Sequence, residues 1–152
     1  MRQAASGLSD DQLREERPAF EGIAQTLRHV VQTQHAWWCL WADSEWVKPP
    51  ELPAEGAMDA LGEWFRKSHE ELREFGRSLG ERDLERTYED TDKDGRPAKY
   101  LLWEMMVHVV NHGTQHRSEA AAVLTVLGRS PGDLDFVDFL NASARGELAE
   151  HA

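Results

Sequence analysis

The sequence has a single cysteine, Cys39, among 152 residues. No intrachain disulfide can form and no zinc site of the CxxC type exists, so nothing calls for an oxidising compartment. Long apolar runs are also missing. No stretch approaches the roughly 18 apolar residues of a membrane-spanning helix, and the N-terminal MRQAASGLSDDQLREERP lacks the apolar segment of a signal peptide. These absences predict a cytoplasmic protein with no membrane partner.

Positive charge is scarce as well. Lys and Arg together number 17 against 28 Asp and Glu, which gives a formal net charge of −11, and no basic run occurs. Such a surface repels phosphate backbones and anionic lipids. Nucleic acid is therefore excluded as an expected partner.

Apolar residues recur at helical intervals along most of the chain. This periodicity predicts helices from Pro18 to about Asp43, from about Met58 to Leu79 and from about Ala98 to Leu127. The first of these helices turns an inward face that includes Phe20, Ile23, Leu27, Val30, Val31, Trp38 and Trp41. A short amphipathic helix on Leu134, Phe136, Val137 and Leu140 is expected near the end.

The connections between these helices differ in character. WVKPPELPAEG contains three prolines and indicates a loop, whereas LERTYEDTDKDGRPAKY combines strand formers with turn formers and favours a short hairpin or extended loop. We predict a single domain over residues 1–152, with a polar lead-in at 1–17 and a frayed tail at 141–152. Its fold class is all-α, an antiparallel four-helix-bundle-like arrangement.

The segment DTDKDG, residues 90–95, matches the first half of an EF-hand calcium loop. That loop needs a bidentate carboxylate at its twelfth position. Leu101 occupies this position, and Arg96 and Pro97 follow the glycine. An acidic turn is therefore the better interpretation.

Three of the seven histidines fall in HVVNHGTQHR, residues 108–117, at intervals of four. At about 100° per residue, His112 and His116 lie within or at the border of the apolar stripe of the third helix, and His108 lies at its margin. Histidines at i and i+4 can bind one metal ion together. For an isolated pair, core histidines bonded to carbonyls or a carboxylate are the more common alternative.

A third ligand would favour the metal site, and the first long helix offers His29 and His35. His29 shares its sector with uncharged and mostly small residues, whereas His35 leans toward charged ones. Because a ligand would point into a dry cavity, the pattern favours His29 and predicts that His35 is half-exposed.

LRHVVQTQHAWW, HVVNHGTQHR and the closing LGRSPGDLDFVDFL together resemble the DinB family of damage-inducible metalloproteins, over about residues 6–140. In both, a histidine lies eight residues before a tryptophan, here His29 and Trp37. The resemblance implies a four-helix bundle, a homodimer, and one divalent ion bound by His29, His112 and His116. Relatives have a full helix ahead of GLSDDQL, so the first helix is apparently truncated here. Either the start codon is misplaced, or the tail helix or a second subunit completes the bundle.

Three neutral imidazoles would leave a divalent ion at least one open position, as in catalytic sites. The ion could lower the pKa of water toward about 7 or hold a thiol as its thiolate. Nitrogen ligation suits zinc, nickel, cobalt or iron, and zinc or nickel is preferred. As possible groups around the ligands we name Asn111, Gln34 and Glu104.

The leading hypothesis is a metal-dependent enzyme, a thiol S-transferase or hydrolase, that activates a low-molecular-weight thiol or water against a small electrophile. His108 is the candidate for proton transfer. The tryptophans at 37, 38, 41 and 103 are either walls of a substrate pocket or plain core. The alternatives are a non-catalytic, stress-associated metal- or ligand-binding dimer and a purely structural bundle without metal.

Overall fold

A computed structural model describes residues 1–17 and 21–147, and over these the protein is mostly helical with one two-stranded sheet. Two short helices, α1 (Arg2–Ala5) and α2 (Asp10–Arg14), precede the long helices α3 (Ile23–Trp41) and α4 (Ala57–Ser78). A 3₁₀ helix (Glu81–Glu85) and the strands β1 (Thr87–Thr91) and β2 (Pro97–Leu101) come next. The chain continues into α5 (Leu102–Val126) and α6 (Phe136–Ala144).

Two predicted helix starts are affected by the structure. Pro18, the expected start of the first long helix, and Phe20, expected on its inward face, lie outside the described residues. The helix expected from about Ala98 begins at Leu102, because residues 97–101 pair with β1. The backbone N–H of Leu102 still donates to the carbonyl of Arg86, so the sheet leads directly into α5.

The segment between α4 and α5 forms the hairpin that was predicted as one of two options. Thr87 pairs with Leu101 and Thr91 with Pro97 in an antiparallel ladder. In its turn Asp92 accepts hydrogen bonds from the backbone of Asp94 and from the backbone and side chain of Arg96. The Asp92 carboxylate is therefore occupied by groups of its own turn, as the acidic-turn interpretation predicts.

The expected antiparallel order of the long helices is wrong for one pair. The cluster around the start of α3 includes Ala57 and Leu61 of α4, and farther along Trp41 stacks on Phe75 at 5.8 Å. α3 and α4 thus run parallel. The connecting loop returns along α3, since Arg28 binds Glu51 at 2.9 Å and Arg14 donates to the carbonyl of Pro53.

α5 runs antiparallel to α3. Its end lies beside the start of α3, where Ala120, Val123 and Leu124 join the core cluster of Ile23 and Leu27. Its start lies beside the end of α3, where Leu102, Met105 and Val109 form a second buried cluster with Trp41. This opposite direction determines which histidines of the two helices meet.

Residues 1–17, expected to be a polar lead-in, contribute helices and buried side chains to the fold. They fold into α1 and α2, and Ala5 and Leu13 are buried in the first core cluster. α6 behaves in the opposite way, since none of its residues is buried. The four-helix bundle is therefore not confirmed: three long helices pack together, and α6 does not add a fourth layer.

The described residues also bear on membrane insertion. Within 1–17 and 21–147, none of the helices combines the length and the hydrophobicity that a bilayer span requires.

Candidate metal centre

His29 of α3 and His112 and His116 of α5 converge on one point of the seam between the two helices. Their ring centroids lie 4.9 Å apart for His29 and His112, 4.8 Å for His29 and His116, and 4.5 Å for His112 and His116. The i, i+4 spacing places the α5 pair on adjacent turns. Antiparallel packing then brings the start of α3, with His29, beside them.

The nitrogen atoms of this cluster fit a single metal ion. One nitrogen from each ring lies within 4.8 Å of the others, and Nε2 of His29 is 3.0 Å from Nε2 of His112. Two nitrogens bound at about 2.0–2.1 Å in a tetrahedral zinc site are roughly 3.3 Å apart. The three histidines are therefore positioned to bind a metal ion.

The cluster lies at the surface, which corrects the expectation of a dry cavity. His29 is exposed and His112 and His116 are half-buried. The reason is the position of α4, which packs against the other side of α3, where Glu71 meets His35. The α3–α5 seam consequently faces outward and a small molecule can reach it from solvent.

His116 is oriented by a carboxylate that the sequence analysis did not name. Nδ1 of His116 lies 2.6 Å from Oε2 of Glu119, and Gln115 donates to Oε1 of the same carboxylate at 3.2 Å. An ionised carboxylate can only accept, so Nδ1 of His116 is the donor, and in the neutral imidazole Nε2 is then the nitrogen with the lone pair. Burial acts to raise the pKa of Glu119, but the hydrogen bonds from His116 and Gln115 outweigh it and hold that pKa below its usual value.

His112 is held in its neutral form. Burial, followed by repulsion from His116 and His29, lowers the pKa of His112 from 6.5 to about 4. A neutral imidazole is the form that binds a metal ion. At neutral pH this ligand therefore needs no deprotonation before binding.

His108 lies beside the cluster and outside it. Its ring centroid is 5.8 Å from that of His112 and 5.8 Å from that of Trp37. The side chain is exposed. His108 is thus near enough to contact a molecule bound at the cluster.

The four tryptophans do not wall one pocket. Trp41 is buried in the core, Trp38 stacks on His35 at 5.6 Å, and Trp103 is 47% exposed. Trp37 is the one that contacts a histidine of the HVVNHGTQHR segment. The four tryptophans therefore do not form one substrate pocket. Trp37 alone lies where it could contact a molecule at the histidine cluster.

His35, the alternative ligand, is directed elsewhere. Its Nδ1 donates to Glu71 at 3.2 Å, and its Nε2 lies 3.5 Å from the buried thiol of Cys39. Both ring nitrogens are thus engaged on the α4 side of α3. Burial, followed by the charge of Glu71, raises the pKa of Cys39, which keeps this thiol protonated.

The three residues expected to orient the metal ligands, Glu104, Asn111 and Gln34, form no hydrogen bond with the clustered histidines among the described residues. Glu104 accepts from the backbone N–H of Leu101, Asn111 is exposed, and Gln34 lines a groove between α4 and α5. The signal that could have indicated Glu119 is its i+3 spacing from His116, which places the two side chains together on a helix.

Comparison with known proteins agrees with this geometry. No curated protein matches the chain. The model of the DinB family matches residues 1–148 of the 152, a span that includes all three clustered histidines. The chain therefore belongs to the DinB family.

Proposed function

We propose that this protein is a metal-dependent enzyme that activates a low-molecular-weight thiol or water for attack on a small electrophile. The observation that carries the proposal is the convergence of His29, His112 and His116 at an outward-facing seam, with two ring nitrogens 3.0 Å apart. A divalent ion held there would supply a Lewis acid that stabilises the anionic form of a thiol or of water at neutral pH.

The residues of the chain prepare this site in three ways. Glu119 fixes the ring of His116 with Nε2 available, and the low pKa of His112 keeps its ring neutral. The exposure of His29 gives a small substrate access to the cluster. His108, beside His112 and against Trp37, is our candidate for moving a proton to or from the bound substrate.

The donor set supports zinc or nickel as the ion. Three imidazole nitrogens with no thiolate among them suit both metals. Within residues 1–17 and 21–147 three protein ligands converge, which leaves a position for a small molecule. This is the arrangement of catalytic zinc sites and not of closed structural ones.

A second candidate function is metal or ligand binding without turnover. It is favoured by the state of His108, which forms no hydrogen bond within residues 1–17 and 21–147 that would orient it. General bases are usually held by a third group. A stress-associated metal-binding protein needs the three ligands and no such base.

Metal content tests the site directly. Protein reconstituted with zinc or nickel and then dialysed should retain about one ion per chain, because three converging imidazoles form one site. His29→Ala, His112→Ala and His116→Ala should each lose it, as measured by elemental analysis. His35→Asn, which removes a histidine of the same helix outside the cluster, should keep its ion. Wild-type protein that retains no metal would show that the site assignment is wrong.

Reactivity separates the two functions. Metal-loaded protein should accelerate the reaction of one member of a thiol panel, or of water, with small electrophiles. His112→Ala should abolish this rate, and His108→Asn should reduce it while the metal stays bound. A fully loaded protein with no rate above that of the free ion would favour the binding function.

A further inference from the structure

A pocket of about 360 Å³ lies between α3, α4 and the loop that joins these two helices. We call it the loop pocket. Val31 and His35 line it from α3, and Trp64 and Ser68 line it from α4. In each pair the residues are one helical turn apart, so one face of each helix is directed at the pocket. Its volume falls within the range of about 300–1,000 Å³ that is common for small-molecule sites.

The loop supplies a stiff apolar wall. Pro49 and Pro50 line the pocket, and the ring of each proline fixes its φ. The next residue anchors the loop to α3, since Glu51 binds Arg28 at 2.9 Å. A wall that is already in place lowers the conformational entropy that a ligand would otherwise have to remove on binding.

Ser68 places a buried hydroxyl without a partner at the floor of the pocket. Its side chain is 3% exposed, and its Oγ forms no hydrogen bond among the described residues. A serine inside a helix can donate to the carbonyl four residues earlier, as Ser118 of α5 does to Thr114 at 2.8 Å. Because buried polar atoms are nearly always paired in native structures, the Ser68 hydroxyl is available to a molecule in the pocket.

Two ammonium groups lie at the mouth of the pocket. Lys48 and Lys67 line it, and their side chains are 69% and 72% exposed. Lys48 is 3.5 Å from Glu51 and Lys67 is 3.8 Å from Glu71, distances longer than those of charge-assisted hydrogen bonds. Since an ammonium group has three donors, both lysines can also donate to a ligand.

The charges at the mouth favour an anion. Three cations are connected by ion pairs to two carboxylates, Arg28, Lys48 and Lys67 with Glu51 and Glu71. One positive charge is therefore in excess here, although the chain as a whole has a formal net charge of −11. A ligand with a single negative charge would balance this excess.

A cationic ligand fits the pocket less well. Glu71 is the carboxylate that lines it among the described residues, and it already accepts from Nδ1 of His35 at 3.2 Å and lies beside Lys67. A ligand cation would compete with both of these groups and would meet repulsion from the lysines at the mouth.

We propose that the loop pocket binds a small aromatic monocarboxylate that carries a hydroxyl group at the end opposite the carboxylate. The order of groups from the floor to the mouth determines this class. The ligand hydroxyl pairs with Ser68, the ring lies against Trp64 and the two prolines, and the carboxylate accepts from the two lysines. An aromatic ring buries a large apolar area and loses little conformational freedom on binding.

Three related probes test the assignment by isothermal titration calorimetry. 4-Hydroxybenzoate has both polar ends, benzoate lacks the hydroxyl, and 4-hydroxybenzamide lacks the charge. Wild-type protein should bind 4-hydroxybenzoate saturably at one site per chain, about three- to tenfold more tightly than benzoate, because one hydrogen bond is lost with the hydroxyl. 4-Hydroxybenzamide should also bind more weakly than 4-hydroxybenzoate. This comparison needs no variant.

Variants at the floor and the mouth should affect different probes. Ser68→Ala should weaken 4-hydroxybenzoate by about three- to tenfold and leave benzoate unchanged. Ser78→Ala, the same change on the same helix at an exposed hydroxyl bonded to the carbonyl of Phe75, should change neither. Circular dichroism should show an intact fold for Ser68→Ala, because the change removes an unpaired hydroxyl.

The lysines are tested as a pair. Lys48→Gln with Lys67→Gln should weaken both carboxylate probes by about two- to tenfold and leave 4-hydroxybenzamide unchanged. Added salt should weaken the carboxylates in the same way. Lys93→Gln with Lys99→Gln, which makes the same change of charge at exposed lysines of the hairpin, should leave all three affinities unchanged.

A carboxylate can also bind a metal ion, so the probes are titrated on His112→Ala as well. This variant should bind 4-hydroxybenzoate like wild type, because the loop pocket lies on the α4 side of α3, away from the histidine cluster. Loss of binding in His112→Ala would assign the probe to the metal centre and overturn the proposal. Absence of saturable binding to wild type at millimolar concentration, or binding that Ser68→Ala and the lysine pair leave unchanged, would also overturn it. None of these results bears on metal retention, which tests the metal centre separately.

Discussion

At the scale of single residues, the candidate centre depends on how two imidazoles are prepared. His112 is kept neutral by burial and by its histidine neighbours, and His116 is oriented by Glu119. The two effects are complementary. The low pKa keeps a lone pair available on His112, and the hydrogen bond to Glu119 orients the ring of His116. Carboxylates in this position usually raise ligand basicity and fix the tautomer.

Glu119→Gln tests the orientation of His116. The amide keeps the size of the side chain but loses the negative charge that holds the Nδ1 proton. Metal affinity measured by competition with a chelator should fall by about 10- to 100-fold. Glu104→Gln, the same change on the same helix at a carboxylate that caps Leu101, should leave the affinity unchanged. Equal affinities of wild type and Glu119→Gln would show that the contact does not support the site.

At the scale of elements, the parallel course of α3 and α4 depends on long-range anchors of the returning loop. The carboxylate of Asp10 accepts hydrogen bonds from the backbone N–H groups of Gly56 at 3.0 Å and Ala57 at 3.1 Å. α2 thus supplies the N-terminal cap of α4 from 47 residues away. Two otherwise unpaired donors are satisfied, and a negative charge lies at the positive end of the helix.

Asp10→Ala tests this cap. Loss of a capping carboxylate should lower the free energy of unfolding by about 1 kcal/mol, within a range of roughly 0.5–2, as measured by urea denaturation. Asp11→Ala removes an exposed acidic residue from the same first turn of α2 and is the matched control. Equal losses in the two variants would indicate a general charge effect in place of capping.

At the scale of the whole molecule, two apolar surfaces are not covered by the three long helices. One is the groove between α4 and α5, and the other is the apolar face of α6. Apolar side chains of all three long helices line the groove, and the large side chains of α6 are about half or more exposed. The surplus negative charge is spread over the surface, whereas the groove is lined by no carboxylate among the described residues. The groove is therefore an apolar surface on an otherwise acidic molecule.

The acid sensitivity of the whole fold should reflect the half-buried His112. The pKa of His112 is about 4 when folded and its ordinary value is 6.5, so between these values the unfolded chain binds more protons. Stability of the metal-free protein is therefore fully present above pH 6.5 and declines as the pH falls toward 4. Denaturation curves across this window should show a steeper decline for wild type than for His112→Asn. Parallel declines would contradict this role of His112.

The sequence by itself determined the type of each long element and the identity of the clustered histidines. Apolar periodicity located α3, α4 and α5, because a helix that packs on one side must repeat its apolar residues every three or four positions. The i, i+4 spacing of His112 and His116 fixed their proximity for the same reason. His29 was favoured over His35 by the small uncharged residues around it, although the reason given, a dry cavity, does not describe the exposed site.

Only the tertiary structure decided what depends on residues far apart in the chain. The parallel course of α3 and α4, the cap of Asp10 on α4 and the half-burial of Phe65, Leu72 and Phe75 have no local signal, since each depends on which surfaces meet. Glu119 could be predicted only in part. Its i+3 spacing from His116 is visible in the sequence, but the contact between the two side chains depends on the rotamers that the packed α3–α5 seam allows. Spacing specifies a helix and its faces, whereas the partner of each face is set by packing across the whole molecule.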